Sequence, residues 1–357
     1  MKLLDKLIIK DFLKTYVFVV LMLIMIVLVL DFTEKNDEFI RNKVPSAEII
    51  KYMFNYGLYL NNLLTPITVF ISVIFITSRM AGRTEIVAIL SSGVSFIRML
   101  RPFIIGSALI AVVSFVLNGW VLPGATAGMY NFKMEYLEDD SQYNYSNLHV
   151  KVAPDVYAYI NRYYTGPKRG YSFTLEKIED GQLLSKLTAD RIDWDTTTNA
   201  WKVKNWKLRK LGDMREEYSV GEEMDTVLSI TPEDFDLPPN HHETLNLPEL
   251  GKQIEVLEER GADNVSFYKI ERYVRFMSPF AAIILTFIGV IVSSKKTRGG
   301  SGFKIALGFL LAFIYIILFL LSRTFAEAGT AYPILAVWLP NLVFAFTGLV
   351  MYKTIPR

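Results

Sequence analysis

Six stretches of the chain contain no Asp, Glu, Lys or Arg, and they dominate its pattern of hydrophobic and polar positions. A helix needs about 20 apolar residues to cross a bilayer core of about 30 Å. The stretches suit this length, the first one if its helix begins upstream at Phe12. Three precede a long polar segment and three follow it, which predicts six transmembrane helices in a 3+3 arrangement. The stretches are Thr15–Leu30, Tyr52–Ser78, Pro102–Phe132, Phe276–Ser294, Ile305–Ser322 and Ala328–Tyr352.

The composition agrees with a membrane location, since 52% of the residues are hydrophobic and 21% are charged. The first stretch could be a cleavable signal peptide, but 14 residues precede it and no Ala-x-Ala-like cleavage site follows, which favours an uncleaved anchor. The net charge of +2 gives no indication of nucleic-acid binding. The absence of cysteine excludes disulfides, thiolate metal sites and cysteine nucleophiles.

Basic residues collect on one side of the predicted spans. The segment before the first span, the second and fourth connections and the segment after the sixth span together hold fourteen Lys and Arg residues. Because basic connections remain in the cytoplasm, this side and both termini are predicted to be cytoplasmic.

The polar segment between the third and fourth spans is predicted to form an outer domain built of β-strands. Residues 133–270 contain 26 acidic and 17 basic side chains, and runs rich in β-branched and aromatic residues alternate there with turn signals. The alternation of Trp201 and Val203 changes phase at Trp206, which indicates a bulge near Asn205. A sandwich or jellyroll is the expected class for such a meander.

After the strands, Leu250, Ile254 and Leu257 are spaced for one face of a helix that leads back to the membrane. The adjacent His241 and His242 lack the i,i+4 spacing of a helical metal site, which favours a solvated linker. No Walker motif for ATP is present, and the six stretches contain no Asp, Glu, His or Arg to carry a proton. We therefore expect any uphill transport to take its energy from another polypeptide.

Residues 83–95 on the cytoplasmic side have the features of a short amphipathic helix. Thr84 is a candidate N-cap, and Glu85 lies in the first turn, where a carboxylate suits the helix dipole. Such a helix either lies on the membrane surface or docks into a groove of a partner ATPase as a coupling helix. Its predicted apolar face and exit are formed by Ile86, Ile89, Leu90 and Gly93.

Several segments carry a resemblance to a known family. They are RTEIVAILSSGVS at residues 83–95, the Arg275-x-x-x-Pro279 opening of the fourth span, RGGSGF at residues 298–303 and Pro333 with WLPN at residues 338–341. In order, spacing and topology the chain resembles the lipopolysaccharide-export permeases of the LptF/LptG (YjgP/YjgQ) type. The tryptophans Trp194, Trp201 and Trp206 fit the outer domain of that family.

The resemblance implies a permease subunit of an ABC exporter with a periplasmic β-jellyroll, in the inner membrane of a Gram-negative bacterium. Its implied partners are a second LptF/LptG-type permease, a cytoplasmic ABC ATPase dimer, a single-span periplasmic jellyroll bridge protein and lipopolysaccharide. The chain itself would catalyse no reaction and hold no cofactor, while ATP and Mg are used by the ATPase. The resemblance also implies that Glu85, with Arg83 and Gly93 in the same motif, meets a basic residue of the ATPase.

Lipid A presents phosphates, so cations near the outer ends of the spans are candidate substrate contacts. For each residue taken alone the favoured role is an anchor to headgroups or an ordinary ion pair, as Glu271 and Arg275 would form at i,i+4 spacing. Where some family members have a lysine near the outer end of the first span, this chain has Asp31. The candidate cations are Lys35, Arg41, Lys43, Arg272, Arg275 and Arg323.

A second candidate substrate contact is an apolar groove of the β domain, which would hold acyl chains. Core packing is the alternative role of the same side chains. The candidates for this groove are Tyr157, Tyr159, Trp201, Val203 and Trp206.

The sequence therefore predicts an α-helical membrane protein with six transmembrane helices and an inserted all-β periplasmic jellyroll. Its alternatives are a permease for another lipid, a non-transporting anchor or adaptor for a β domain, and, least favoured, a lipid-modifying enzyme. The predicted divisions are an N-terminal membrane half (residues 1–132), the jellyroll (133–245), a helical return connection (246–275) and a C-terminal membrane half (276–357).

Overall fold

A computed structural model describes residues 3–137, 144–153, 155–179, 181–212, 215–226, 228, 231–232, 240–259, 265–294 and 300–353. Of the family-like segments, residues 298 and 299 lie outside the described ranges. The helices are α1 (Leu3–Arg41), α2 (Ser46–Gly82), α3 (Glu85–Ser91), α4 (Phe96–Val116), α5 (Leu122–Tyr136), α6 (His241–Thr244), α7 (Leu247–Glu259), α8 (Val265–Ser294), α9 (Gly300–Glu327) and α10 (Pro333–Lys353).

Six of the helical segments are long and apolar enough to cross a membrane, one for each predicted stretch. The third combines α4, a π-helical turn over Leu117–Val121, and α5. Pro123 follows that turn and has no N–H to donate to the preceding turn, and a π-turn is a common way for a helix to absorb such a loss. The predicted fold class, six spans with an inserted β domain, is confirmed.

The chain divides into two compact units. The transmembrane unit comprises Met1–Phe132, His242–Leu247 and Ser266–Arg357, and the β unit comprises Lys133–His241 and Pro248–Val265.

The core of the transmembrane unit is built on α2 and α8, whose most apolar stretches are each 56% buried. Small residues let these helices approach their neighbours closely, as is common in membrane bundles. A Cβ on Gly289 of α8 would lie 3.1 Å from the side chains of Phe70 and Val73 on α2. α2 therefore contacts α1, α8 and α9 as the central helix of the unit.

The β unit contains one antiparallel sheet whose six described strands pair in chain order, as a meander. Its buried side chains, with Trp201 and Val203 among them, form a single apolar cluster on one face. In α7 the predicted apolar face is confirmed, since Leu250, Ile254 and Leu257 are all buried. The strands are β1 (Asn144–Ala153), β2 (Val156–Tyr164), β3 (Arg169–Glu179), β4 (Gln182–Asp195), β5 (Ala200–Leu211) and β6 (Glu216–Thr226).

The prediction of a bulge near Asn205 is wrong, because the alternation changes phase there without any slip of the strand relative to its neighbours. Asn205 has a left-handed φ of 51°, while the pairs Lys204↔Arg191 and Trp206↔Ala189 on either side keep one register. Asn205 also donates its side-chain N–H to the Asp190 carboxylate at 3.1 Å. Because β4 changes phase at the same level, Trp206 stays on the face of Trp201 and Val203, where a bulge in one strand would have shifted the pairing.

Candidate functional site

The α3 helix is held at both ends by left-handed backbone, which fixes its direction in the short connection between α2 and α4. Thr84 precedes it with a φ of 60°, and Gly93 follows it with a φ of 86°. The prediction of a Thr84 N-cap is wrong, because its hydroxyl donates to the Arg83 carbonyl at 2.6 Å and caps nothing. Gly93 has open space around its missing Cβ, so the glycine serves the backbone conformation.

The side chains of α3 divide between an anchored residue and an exposed surface. Ile86 is 3% exposed and packs in the core with residues of α1, α2 and α4. Ile89 packs at the edge of that core, whereas Leu90 and Val87 are exposed. Glu85 is exposed in the first turn, 3.8 Å from the Arg83 guanidinium. The helix thus presents one acid and two apolar side chains on a firmly seated backbone.

Among the candidate cations, Lys35 is occupied by neighbours within the chain. Its ammonium group pairs with the Asp31 carboxylate and donates to the Tyr52 hydroxyl at 2.6 Å. The Tyr52 hydroxyl donates in turn to Asp31 at 2.9 Å, and the rings of Tyr52 and Tyr56 lie 5.1 and 5.5 Å from the ammonium nitrogen. Asp31 therefore neutralises the cation one turn further along.

Arg275 is likewise committed to the protein. Its Nε donates to Glu271 at 2.8 Å and its Nη1 to the Leu245 carbonyl at 2.6 Å. Its Nη2 lies 3.3 Å from both the His242 and the Glu243 carbonyl oxygens. These carbonyls lie at the end of α6, where a helix leaves acceptors without intrahelical partners. With its side chain 5% exposed, Arg275 fastens residues 242–245 to α8.

Arg323 is partly accessible and forms a charged cluster with Glu243, Glu271 and Arg275. Its Nε donates to Glu327 at 2.7 Å, and its Nη2 lies 3.3 Å from Glu243. Glu243 also accepts from the Tyr130 hydroxyl at 3.0 Å. Burial, and then the Glu271 charge, raises the pKa of Glu243, while Arg323 opposes that rise. The guanidinium thus stabilises a carboxylate that burial disfavours.

Arg41, Lys43 and Arg272 complete the set of candidate cations. Arg41 and Lys43 are exposed at the turn between α1 and α2, and the Arg272 guanidinium lies 5.7 Å from the centre of the Tyr273 ring. Within the described ranges, none of the three forms an ion pair. They are the candidate cations best placed to meet an added anion.

A cavity of about 430 Å³ opens between α2, α5, α8 and α9, below this charged cluster. Glu243, Glu271, Arg275 and Arg323 contribute its polar end, and most of its remaining wall is apolar. The charge-free stretches alone could not predict this cavity, because Glu243 at its polar end belongs to the connection that follows the β-strands. The wall includes Tyr59, Leu63, Ile67, Asn118, Leu122, Val274, Met277, Tyr315 and Phe319.

The cluster also groups the possible ligand atoms of His242, Glu243 and Glu271 within 4.8 Å of one another. Both carboxylates already accept from guanidinium groups, Glu271 from Arg275 and Glu243 from Arg323. Two arginines therefore supply the positive charge that a metal ion would bring. Burial lowers the pKa of His242 to about 4, so its imidazole is neutral.

The predicted groove residues of the β unit do not share one face. Trp201 and Val203 are fully buried in the core, and Trp206 packs at its edge with an indole N–H that has no hydrogen-bond partner within the described residues. Tyr157 and Tyr159 alternate with the buried Ala158 and so point to the opposite face, where Tyr159 lies 4.6 Å from His149. The five residues therefore cannot line one groove.

The fold and these features define a polytopic membrane protein of the permease type. Four of the six spans line a largely apolar cavity, a short anchored helix lies between the second and third spans, and an antiparallel β unit is inserted after the third.

The chain belongs to a particular family of such proteins, described as lipopolysaccharide export system permease LptF/LptG, whose model matches residues 6–354. It is thus a transport component of lipopolysaccharide export. A search of curated proteins gave no significant match to the chain.

Proposed function

We propose that this permease extracts lipopolysaccharide from the inner membrane and passes it to a periplasmic jellyroll bridge, using energy from a separate cytoplasmic ABC ATPase. The observation that carries the proposal is the construction of α3. α3 exposes Glu85, Val87 and Leu90, while its Ile86 is buried in the core of the transmembrane unit. Such a helix can dock in a groove of a partner and transmit force to the spans.

The direction of the chain in the membrane is part of the proposal. Fourteen basic residues belong to the α3 side of the spans, which supports a cytoplasmic position for α3 and for both termini. The β unit would then be periplasmic, and the exposed Arg41 and Lys43 would lie near the outer leaflet. These cations, with Arg272, are the proposed contacts of the lipid A phosphates.

A second permease of the same type is the proposed partner within the membrane. The most apolar stretch of α1 is only 11% buried and that of α9 only 22%, against 56% for α2 and α8. Helices with so little contact in their own chain are suited to face a partner or a lipid. We propose that α1 and α9 flank the lateral gate through which lipopolysaccharide enters.

The β unit is proposed to carry the acyl chains onward. Trp206, Leu208 and Met224 are only partly buried at the edge of its apolar cluster, so they are available to a bound chain. A neighbouring jellyroll could continue the sheet by pairing with an exposed strand, which is how a continuous bridge would form.

The test is co-purification of the permease from gently solubilised membranes, scoring captured ATPase and bound lipopolysaccharide together. Glu85→Arg should lose the ATPase because it reverses the charge on the exposed surface of α3. Lys10→Glu is the matched control, because it reverses an exposed charge at the same end of the spans without changing α3. We expect the control to keep both the ATPase and the lipid.

The alternatives predict different outcomes. Capture of the ATPase together with a different lipid would favour a permease for another substrate. Capture of neither by the wild-type protein would overturn the proposed coupling and favour an anchor or adaptor for the β unit. Retention of the ATPase by Glu85→Arg would exclude α3 as the docking helix.

A further inference from the structure

The first turns of α1 pack against the corner formed by α3 and α4. Ile8 and Phe12 of α1 share one buried cluster with Ile86 of α3. The ring of Phe12 lies 6.2 Å from that of Phe103 on α4, and a Cβ on Gly106 would come within 2.6 Å of the Phe12 ring. The apolar contact is therefore tight enough for α3, α4 and the start of α1 to move as one body.

A bidentate ion pair fixes the same corner. The Arg98 guanidinium donates from Nη1 and Nη2 to the two carboxylate oxygens of Asp5, at 2.8 and 2.7 Å. Asp5 is 6% exposed. Arg98 lies in the first turn of α4, where Ser95 caps the helix by accepting from the Arg98 N–H at 3.4 Å. Two parallel hydrogen bonds fix the angle between α1 and α4 as well as the distance, because the fork fits only one orientation of the carboxylate.

Beyond this base, α1 is a long helix whose middle has few buried side chains. It spans 39 residues without Gly or Pro, which corresponds to about 58 Å of uninterrupted helix. Kinks in helices usually arise at Pro or Gly, so this sequence favours transmission of a tilt along its length. Between Phe12 and Asp31 only Val19 and Val20 are buried. A change of angle at the base can therefore move the middle of the helix, up to Asp31 and Lys35, which bind Tyr52 of α2.

We propose that Asp5 and Arg98 form a positioning pair that ties α1 to the corner of α3 and α4, so that displacement of α3 becomes movement of α1. The inference rests on the proposed function, in which an ATPase docks on α3 and α1 flanks the gate. The pair touches neither the ATPase nor the lipid. It determines how much lipid moves for each ATP consumed.

The chain supplies a matched control at the same end of the spans. Asp11 of α1 pairs with Arg79 of α2 through one contact of 3.2 Å, and both side chains are about 40% exposed. This pair also joins α1 to a neighbouring helix, but it is solvated, single and not attached to α4. Its loss should cost little.

The experiment uses the whole export complex in proteoliposomes, with binding of the ATPase, ATP hydrolysis and release of lipopolysaccharide measured on the same sample. Asp5→Asn removes the charge, and Arg98→Lys keeps the charge but removes the fork. We expect both variants to bind the ATPase and hydrolyse ATP, while the lipid released per ATP falls about tenfold, within the usual range of coupling between sites. Asp11→Asn should leave this ratio unchanged, and the exchange Asp5→Arg with Arg98→Asp should restore part of it.

The outcomes separate the inference from the proposed function. If wild-type protein binds no ATPase, the proposed function fails. If it binds and Asp5→Asn releases as much lipid per ATP as Asp11→Asn, the positioning role is overturned. If Asp5→Asn does not fold, Arg98→Lys and the exchanged pair decide the question. A loss of hydrolysis and release in equal proportion by those two variants would assign the pair to stability alone.

Discussion

Replacing Arg275 should damage the transmembrane unit rather than its affinity for lipid. The side chain satisfies the Glu271 carboxylate and the carbonyls of His242, Glu243 and Leu245, and it is almost fully buried. Arg275→Ala leaves one buried carboxylate and several helix-end acceptors without a donor. Breaking a buried ion pair typically costs about 3–5 kcal/mol. We expect a loss of this size, with residues 242–245 released from α8.

The matched comparison is Arg272→Ala, one turn away on the same helix. Arg272 is half-buried against Tyr273 and forms no ion pair within the described ranges, so its loss should cost below about 1 kcal/mol. Thermal unfolding in detergent gives the stability of both variants. Because the chain has no cysteine, a single cysteine introduced at Leu245 reports release of that segment by its rate of thiol labelling in the Arg275→Ala background.

Lipid retention on purification completes the comparison. Arg272→Ala should bind less lipopolysaccharide at normal stability, whereas Arg275→Ala should label faster at Leu245 and unfold at a lower temperature. The reasoning is refuted if Arg275→Ala keeps wild-type unfolding and labelling but loses lipid. That result would make Arg275 a phosphate ligand, which is the other of the two roles that the sequence left open.

Three other substitutions test separate parts of the structure. Burial lowers the pKa of His242 to about 4, so the folded state favours the neutral imidazole. The stability that this residue contributes should be complete above pH 6.5 and lost as the pH falls toward 4. Over that range the unfolding temperature of His242→Gln should therefore fall less than that of the wild type. In Gly93→Ala the alanine must adopt a φ of 86°, so the variant should lose about 1–2 kcal/mol of stability and capture less ATPase. Gly82→Ala is the control and should be neutral, because Gly82 lies in a helix with open space at its Cβ. Trp201→Ala should destabilise the β unit by about 3–5 kcal/mol, as measured by its susceptibility to proteolysis. The exposed Tyr157→Ala should lose less than about 1 kcal/mol. Equal losses of stability in Gly93→Ala and Gly82→Ala, or in Trp201→Ala and Tyr157→Ala, would contradict the reasoning.

The spans and the helical face of α7 could be predicted because their determinants are local in sequence. A charge-free stretch fits a membrane whatever lies beside it, and residues such as Leu250 and Ile254 lie on one side of any helix. The inserted β domain followed from strand and turn signals for the same reason. These features need no knowledge of which segments meet in space.

The partners of the candidate cations could not be predicted, because they depend on contacts between distant segments. Glu271 was visible as a neighbour of Arg275, but the acceptors at residues 242–245 are backbone carbonyls, which no side-chain pattern marks. The prediction that five residues of the β unit line one groove was wrong for a related reason. Alternation assigns Tyr157 and Trp201 to faces of their own strands, but only the sheet shows that these faces are opposite.

The charged contacts of the transmembrane unit are confined to the two ends of its spans. At the α3 end, Asp5 ties α1 to α4, while at the other end Lys35 ties α1 to α2 and Arg275 ties α8 to residues 242–245. Between these ends the six stretches carry no Asp, Glu, Lys, Arg or His. Apolar contacts can slide without leaving a polar group unpaired, whereas a buried hydrogen bond cannot. Apart from the Tyr315–Asn341 hydrogen bonds, the contacts that resist sliding therefore lie at the charged ends, and α3 lies at one of these ends with an exposed surface on which the proposed ATPase would act.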